Sequence, residues 1–189
     1  MRPITFPRLI FTFLTLLVLL GVSRSGMQAQ SISENDVYAV AWSPDGSKIV
    51  GGGRNGLLQI WDSAGQLLLS LTGITTDVRA VAWSPDSSKV VSGGDDKLVR
   101  VWNANTGQLL VTLSGHEDVL QSVSWSPDGT KIASISFEEI TSLRTWSAAT
   151  FQPLATRIAS GLIALQWHPD GNSLIVEGGY EGIISYSPD

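Results

Sequence analysis

The chain has 189 residues, 43% of them hydrophobic and 15% charged, with a formal net charge of −5 and no cysteine. That length suits one domain or one repeat array, and the apolar share is enough for a core. An acidic chain without clustered Lys and Arg cannot neutralise a row of phosphates, so neither nucleic acid nor an anionic lipid surface is an expected partner. Without cysteine there are no disulfide staples and no cysteine-linked lipid anchor, so packing alone must hold the fold.

Residues 1–29 differ from the rest. Arg2 and Arg8 precede or flank an apolar run, Leu9–Val22, and small and polar residues follow as far as Ala29. This basic, apolar, small-residue order is that of a secretory signal peptide. The run is shorter than the ~20 residues of a membrane-spanning helix. The expectation is a signal peptide over 1–29, with an uncleaved membrane anchor as the alternative because no clean A-x-A site is present. The location that follows is outside the cytoplasm: secreted, periplasmic or cell-surface. Removal of Arg2, Arg8 and Arg24 with the leader would take the net charge from −5 to −8. A short lead-in, 30–36, comes next.

From residue 37 the chain repeats. "WSPDGSK" (Trp42–Lys48) returns as "WSPDSSK" (Trp83–Lys89), "WSPDGTK" (Trp125–Lys131) and, worn, "WHPDGNS" (Trp167–Ser173). The four tryptophans are 41, 42 and 42 residues apart, and Trp61, Trp102, Trp146 and Tyr186 follow them. Each period divides into four short apolar runs. The first sits at 37–42, 78–83, 120–125 and 162–167. The second sits at 48–52, 89–93, 131–135 and 173–177. The third sits at 57–61, 98–102, 141–146 and 182–186, and the fourth at 66–71, 108–113 and 152–157. They have strand length, and their near-continuous apolarity suits a sheet covered on both faces. Ser-Pro-Asp-Gly between the first and second runs fits a type I turn, with Pro pre-setting φ and Gly accepting the left-handed conformation that follows. Ser87 replaces that Gly in the second copy and should be strained. Pro153 cannot donate to a ladder, which puts the fourth run at the sheet edge.

Units of about 40 residues with four strands each are the signature of a propeller of radial sheets. With "IWD" at Ile60–Asp62, "VWN" at Val101–Asn103, "SGGDDKLVRVW" at 92–102 and Gly115-His116, the chain resembles the WD40-repeat family from about residue 37 onward. The fold class is all-β: a β-propeller built of four-stranded blades, with four repeats at about 37–77, 78–118, 119–160 and 161–189, the last incomplete. The resemblance implies a buried tetrad of His, Ser or Thr, Asp and Trp in each full blade. The second repeat matches with Ser92, Asp96 and Trp102, and Ile74 stands where His would be. The third offers His116, Ser134 and Trp146, with Glu138 or Glu139 in place of Asp. The first has only Asn55 and Trp61, and the fourth has no clear member. No repeat carries the whole network, so each blade should be modestly stable.

The remaining polar residues point away from chemistry. His116 reads as a tetrad member rather than a metal ligand or base, and His168 has no acidic or histidine partner at ligand spacing. Two histidines without cysteine do not make a zinc site. Asp95-Asp96 reads as a turn plus a tetrad acid rather than a cation site. No G-x-S-x-G elbow occurs, and Gly51–Gly53 is followed by no helix or Lys-Ser/Thr, so it is not a phosphate loop. No catalytic residue, metal or cofactor is expected.

Four residues before each first tryptophan stand Tyr38, Arg79, Gln121 and Ile163, and the loops leading in carry Asp77 and Asp118. Positions that drift on a repeated frame resemble a recognition rim, and in the family partners dock on that face. The expected function is a non-enzymatic protein-interaction scaffold. A propeller enzyme or carbohydrate-binding protein, and a truncated fragment, are the alternatives. The family usually closes about seven blades, within the general range of 4–8. Four units therefore imply a ring shared with a second copy or another protein, a truncated member, or an unusually small ring.

Overall fold

The computed structural model describes residues 37–136, 141–159, 162–178 and 182–186, all within the compact unit Asn35–Asp189. The expected signal peptide and lead-in, and Glu138 and Glu139, lie outside the described residues.

Among the described residues, fifteen strands form four separate antiparallel sheets, consecutive in the chain. The first contains β1 (Val37–Trp42), β2 (Lys48–Gly53), β3 (Leu58–Asp62) and β4 (Leu67–Ser70). The second contains β5 (Val78–Trp83), β6 (Lys89–Gly94), β7 (Val99–Asn103) and β8 (Leu109–Leu113). The third contains β9 (Leu120–Trp125), β10 (Lys131–Ser136), β11 (Thr141–Ser147) and β12 (Pro153–Ala159). The fourth has three strands among the described residues, β13 (Leu162–Trp167), β14 (Leu174–Gly178) and β15 (Gly182–Tyr186). Within each sheet the strands lie in chain order, as hairpins require. These are propeller blades at the expected places. Strand ends differ by a residue or two: a single 3-10 turn at Arg54–Gly56 delays β3 to Leu58, and β12 runs on to Ala159. Pro153 does lie on an edge strand, opposite Trp146.

The Ser-Pro-Asp-Gly segments are the β1–β2, β5–β6 and β9–β10 turns. In the first, the Gly46 N–H donates to the Ser43 carbonyl at 2.8 Å, and Gly46 takes φ +71°. Ser43 Oγ donates to Asp45 at 2.6 Å while accepting the Lys48 N–H at 2.9 Å. Asp45 also receives the N–H and the hydroxyl of Ser47. These bonds, the Ser43 hydroxyl foremost, hold the Asp45 carboxyl at a pKa of about 2, and Asp86 has the same environment and value. The turn aspartates are struts. Ser87 does take the left-handed conformation, at φ 58°. Its hydroxyl supplies what a glycine could not, accepting the Asp45 N–H at 3.2 Å from the neighbouring blade's turn.

The core consists of three seams between successive blades. Val50, Leu58 and Ile60 of the first sheet pack on Val78, Trp83, Val90 and Trp102 of the second. Val91, Val99 and Val101 then pack on Leu120, Val123, Trp125, Ile132 and Trp146. Ala133, Ile135 and Leu143 pack on Leu165, Trp167, Leu174 and Val176. Accordingly β1 packs beside β5, β5 beside β9 and β9 beside β13, with no comparable packing of β1 on β13 among the described residues. The first two seams depend on glycine. A Cβ on Gly52 would stand 2.6 Å from Val78 Cγ1 and 3.0 Å from Val81 Cγ1, and one on Gly93 would stand 2.8 Å from Leu120 Cδ1. Gly52→Val should therefore force the first seam apart, lowering stability by about 1–3 kcal/mol in thermal unfolding. Thr112→Val, on the exposed outer strand β8, should stay within about 0.5 kcal/mol of the parent.

Candidate functional site

Two polar layers lie on this frame, one buried within blades and one at the rim. The buried layer is fullest in the third blade. Ser134 on β10 and Trp146 on β11 face the second blade, and the Trp146 indole N–H donates to Ser134 Oγ at 2.9 Å. Ser134 Oγ is also 2.7 Å from His116 Nε2. Ser134 Oγ accepts the indole N–H; with its own proton directed to His116 Nε2 the neutral imidazole carries its proton on Nδ1, and in the other tautomer Ser134 Oγ accepts from both rings. Nδ1 lies 2.9 Å from Ser142 Oγ, which is 2.8 Å from Ser136 Oγ. Five side chains thus form one connected chain. The expected acid, Glu138 or Glu139, is outside the described residues, and the place beside Nδ1 is taken by Ser142. Sequence comparison between repeats missed Ser142 and Ser136 because Leu98 stands four residues before Trp102, where Ser142 stands before Trp146.

A hydroxyl beside Nδ1 cannot stabilise imidazolium as a carboxylate would. Burial, followed by the nearby Arg144 charge, pushes His116 down to about 4. His116 is a neutral structural histidine at physiological pH.

In the second blade only half of the expected set comes together. Trp102 Nε1 donates to Ser92 Oγ at 2.9 Å, both buried. Asp96 does not join them. Buried Ile74 offers no ring nitrogen to bridge the gap, and the Asp96 carboxylate instead receives Arg100 at 2.6 Å and the Leu98 N–H. In the first blade Gly51 occupies the serine position, opposite Val40, as Ser92 is opposite Val81. The Trp61 ring lies over it, 2.9 Å from where a Cβ would be. Asn55 is not part of a tetrad: it sits at φ 54° and its N–H donates to Asp77 at 2.9 Å. In the fourth blade buried Val176 fills the same position.

The rim places Tyr38, Arg79 and Gln121 on the adjacent inner strands β1, β5 and β9. Tyr38 is exposed and Gln121 half-buried. Arg79 is partly exposed but engaged, forming a two-point ion pair with Asp95 that raises its pKa. Asp77 accepts the Asn55 N–H, and Asp118 is half-buried. The side chain of Ile163 lies outside the described residues. Lys97 Nζ donates to the Glu117 carbonyl at 2.5 Å, tying one blade's loop to the next.

Both carboxylates of Asp95-Asp96 are thus held by arginines. His168 does have an acidic partner, contrary to expectation: Asp170 Oδ2 is 3.0 Å away within its own turn, where the ring nitrogen takes over the role of the turn serine. No three His, Asp or Glu side chains cluster among the described residues. A shallow groove of about 350 Å³ between the Arg54–Gly56 turn and Leu71–Ile74 contains Arg54 as its one charged residue. It offers no acid–base pair.

The model of the WD domain, G-beta repeat, matches residues 27–62, 65–103 and 107–137. The chain belongs to the WD40-repeat family. No curated protein shows a significant match to it. Each WD40 match after the first begins just before the outer strand of one blade and runs into the next: 65–103 covers β4 to β7, and 107–137 covers β8 to β10. Sequence repeat and blade are offset by one strand, so each repeat stitches two blades together.

Two outcomes follow from the buried layer. Ser134→Ala would leave the Trp146 N–H and His116 Nε2 unpaired and should cost about 1–3 kcal/mol, against a smaller loss for Ser92→Ala, where one donor is orphaned; urea unfolding of both variants measures this. The His116 pKa is depressed in the folded state, so the unfolded chain binds the proton more tightly. Stability should therefore fall as pH drops from about 6.5 and level off below about 4. The total is about 3 kcal/mol. That dependence should vanish in His116→Gln, while the turn aspartates act only at lower pH.

Proposed function

We propose that this WD40 chain is an exported, non-enzymatic scaffold that binds a protein partner through the rim bearing Tyr38, Arg79, Gln121, Asp77 and Asp118. WD40 repeats generally serve protein–protein interaction, and ring-like repeat frames do so by holding loops rigidly. The observation that carries the reading is the contrast between frame and rim. Trp83, Trp125 and Trp167 recur buried. The residue four positions earlier changes from Tyr38 to Arg79 to Gln121 on strands that lie side by side. An exposed tyrosine and a pre-oriented arginine are residue types enriched where binding energy concentrates. Asp95 holds the Arg79 guanidinium in place, so little side-chain freedom is lost on contact. The basic, apolar, small-residue order of residues 1–29 supports export.

Tyr38→Ala with Arg79→Ala should weaken capture of a specific partner from the native source at least tenfold while leaving the melting temperature within a few degrees. Equal capture by the double variant would sink the rim as the binding face. Intact-mass measurement of the protein recovered from its source should show a chain starting near residue 30, outside the cytoplasmic fraction. A full-length cytoplasmic chain would remove the export reading without touching the rim.

A further inference from the structure

The turn between β2 and β3 carries a residue pair that occurs once in the chain, Asn55-Gly56. Both residues are left-handed, at φ 54° and 78°. Asparagine is among the few side chains that accept this region. Glycine is required, because a Cβ on Gly56 would stand 1.9 Å from the Ile74 carbonyl oxygen, in the loop that leads to the second blade. The corresponding positions of the second blade carry Asp96 and Lys97, so the pair is not part of the repeated frame.

Asn55 is exposed, and its side-chain amide takes no hydrogen bond among the described residues. An uncharged amide followed by glycine is open to attack on its own Cγ by the next backbone nitrogen, which no side chain shields. Other positions are less open to this chemistry. Asp45, Asp128 and Asp170 also precede glycine, but hydrogen bonds within their turns hold each carboxyl below its usual range, and an ionised carboxylate is a poor electrophile. Asn103 Oδ1 accepts the Asn105 N–H and Asn105 Oδ1 accepts Lys48 Nζ. Asn103, Asn105 and Asn172 are all followed by residues larger than glycine.

The folded turn holds the reacting atoms apart. With Asn55 at ψ 35°, the Gly56 nitrogen lies nearly opposite Asn55 Cβ across the Cα–C bond, whereas ring closure needs the two eclipsed. Contacts with the loop before β5 fix that state: the Asn55 N–H donates to Asp77 Oδ1 at 2.9 Å, and Gly56 lies against the Ile74 carbonyl. Exposed turns of this size open locally far more often than the whole fold does.

We propose that Asn55-Gly56 is a self-modification site gated by the opening of this turn. Once the bond to Asp77 breaks and ψ rotates, the Gly56 nitrogen attacks Asn55 Cγ. A C–N bond forms, the bond from Cγ to the side-chain nitrogen breaks, and that nitrogen leaves as ammonia with the proton from Gly56. Water then opens the five-membered imide at either carbonyl, leaving an aspartyl or an isoaspartyl residue at position 55. Both products oppose reclosure. The new carboxylate stands beside that of Asp77, and like charges so placed repel. The isoaspartyl form lengthens the main chain by one methylene and shifts Gly56 from its place against Ile74. Conversion therefore loosens the contact between the first and second blades irreversibly. The inference goes beyond the rim reading and stands without it, because every readout is taken on the isolated chain.

Peptide mapping by mass spectrometry of the full folded chain, aged in mildly alkaline buffer, tests this. The peptide bearing Asn55 should gain the mass of an NH2-to-OH exchange ahead of those bearing Asn103, Asn105 or Asn172. Asp77→Ala should speed that gain about tenfold, as expected for removing one hydrogen bond to a carboxylate. Should that variant misfold, urea below the parent's unfolding transition should speed the gain likewise. Asn55→Asp should melt lower than Asn55→Gly, which accepts the left-handed φ and carries no reactive amide. Conversion of Asn55 no sooner than the other asparagines, a rate that neither Asp77→Ala nor sub-denaturing urea raises, or equal melting of Asn55→Asp and Asn55→Gly would each overturn the proposal.

Discussion

Every blade of this protein is made stable by the blade beside it. A four-stranded sheet on its own leaves Trp83, Val90 and Trp102 facing water, and the seam with Val50, Leu58 and Ile60 is what buries them. The same arrangement recurs at the second and third seams. Stability in such arrays is approximately a sum over blades and their nearest-neighbour contacts. The tight turns, the near-continuous apolar strands and the two glycines at Gly52 and Gly93 all serve that contact. Ser87 serves it too, accepting a strained φ because its hydroxyl reaches the turn of the neighbouring blade.

The buried polar layer is graded around the same seams. One position runs Gly51, Ser92, Ser134, Val176 through the four blades, and the polar network grows and vanishes with it. Where serine is present, the neighbouring tryptophan has an acceptor. Where His116 is added, the chain of bonds extends to Ser142 and Ser136. Where the position is apolar, blade packing does the work without it. Partial networks are tolerable where the donors kept find acceptors, as the Trp102 and Trp146 indoles do. Asp96 shows the converse: without a histidine to receive it, the acid pairs with Arg100 instead.

Ion pairing also orders the acidic pair Asp95-Asp96. Asp95 and Asp96, adjacent in the chain, fix Arg79 and Arg100 and leave little bare charge between them. The rim is therefore an ordered surface rather than a loose set of loops.

The sequence by itself determined the blade. The 41- and 42-residue spacing of tryptophan, the Ser-Pro-Asp-Gly turns and Pro153 on an edge were all legible, because turn chemistry and strand periodicity act over a few residues; the pairing of Ser92 with Trp102 was legible only through the resemblance to the WD40-repeat family. Tertiary structure alone decided three things. It put Ser142 beside His116 Nδ1, because that contact joins the loop before β9 to β11. It took Asp96 out of the tetrad, because a carboxylate follows the nearest cation when its core partner is missing. And it divided equivalent tryptophans into buried and exposed, since Trp42 and Trp83 sit in the same local sequence and differ, among the described residues, in whether another blade lies against them. Local sequence specifies a strand's own conformation; what covers its face depends on neighbours some 40 residues away.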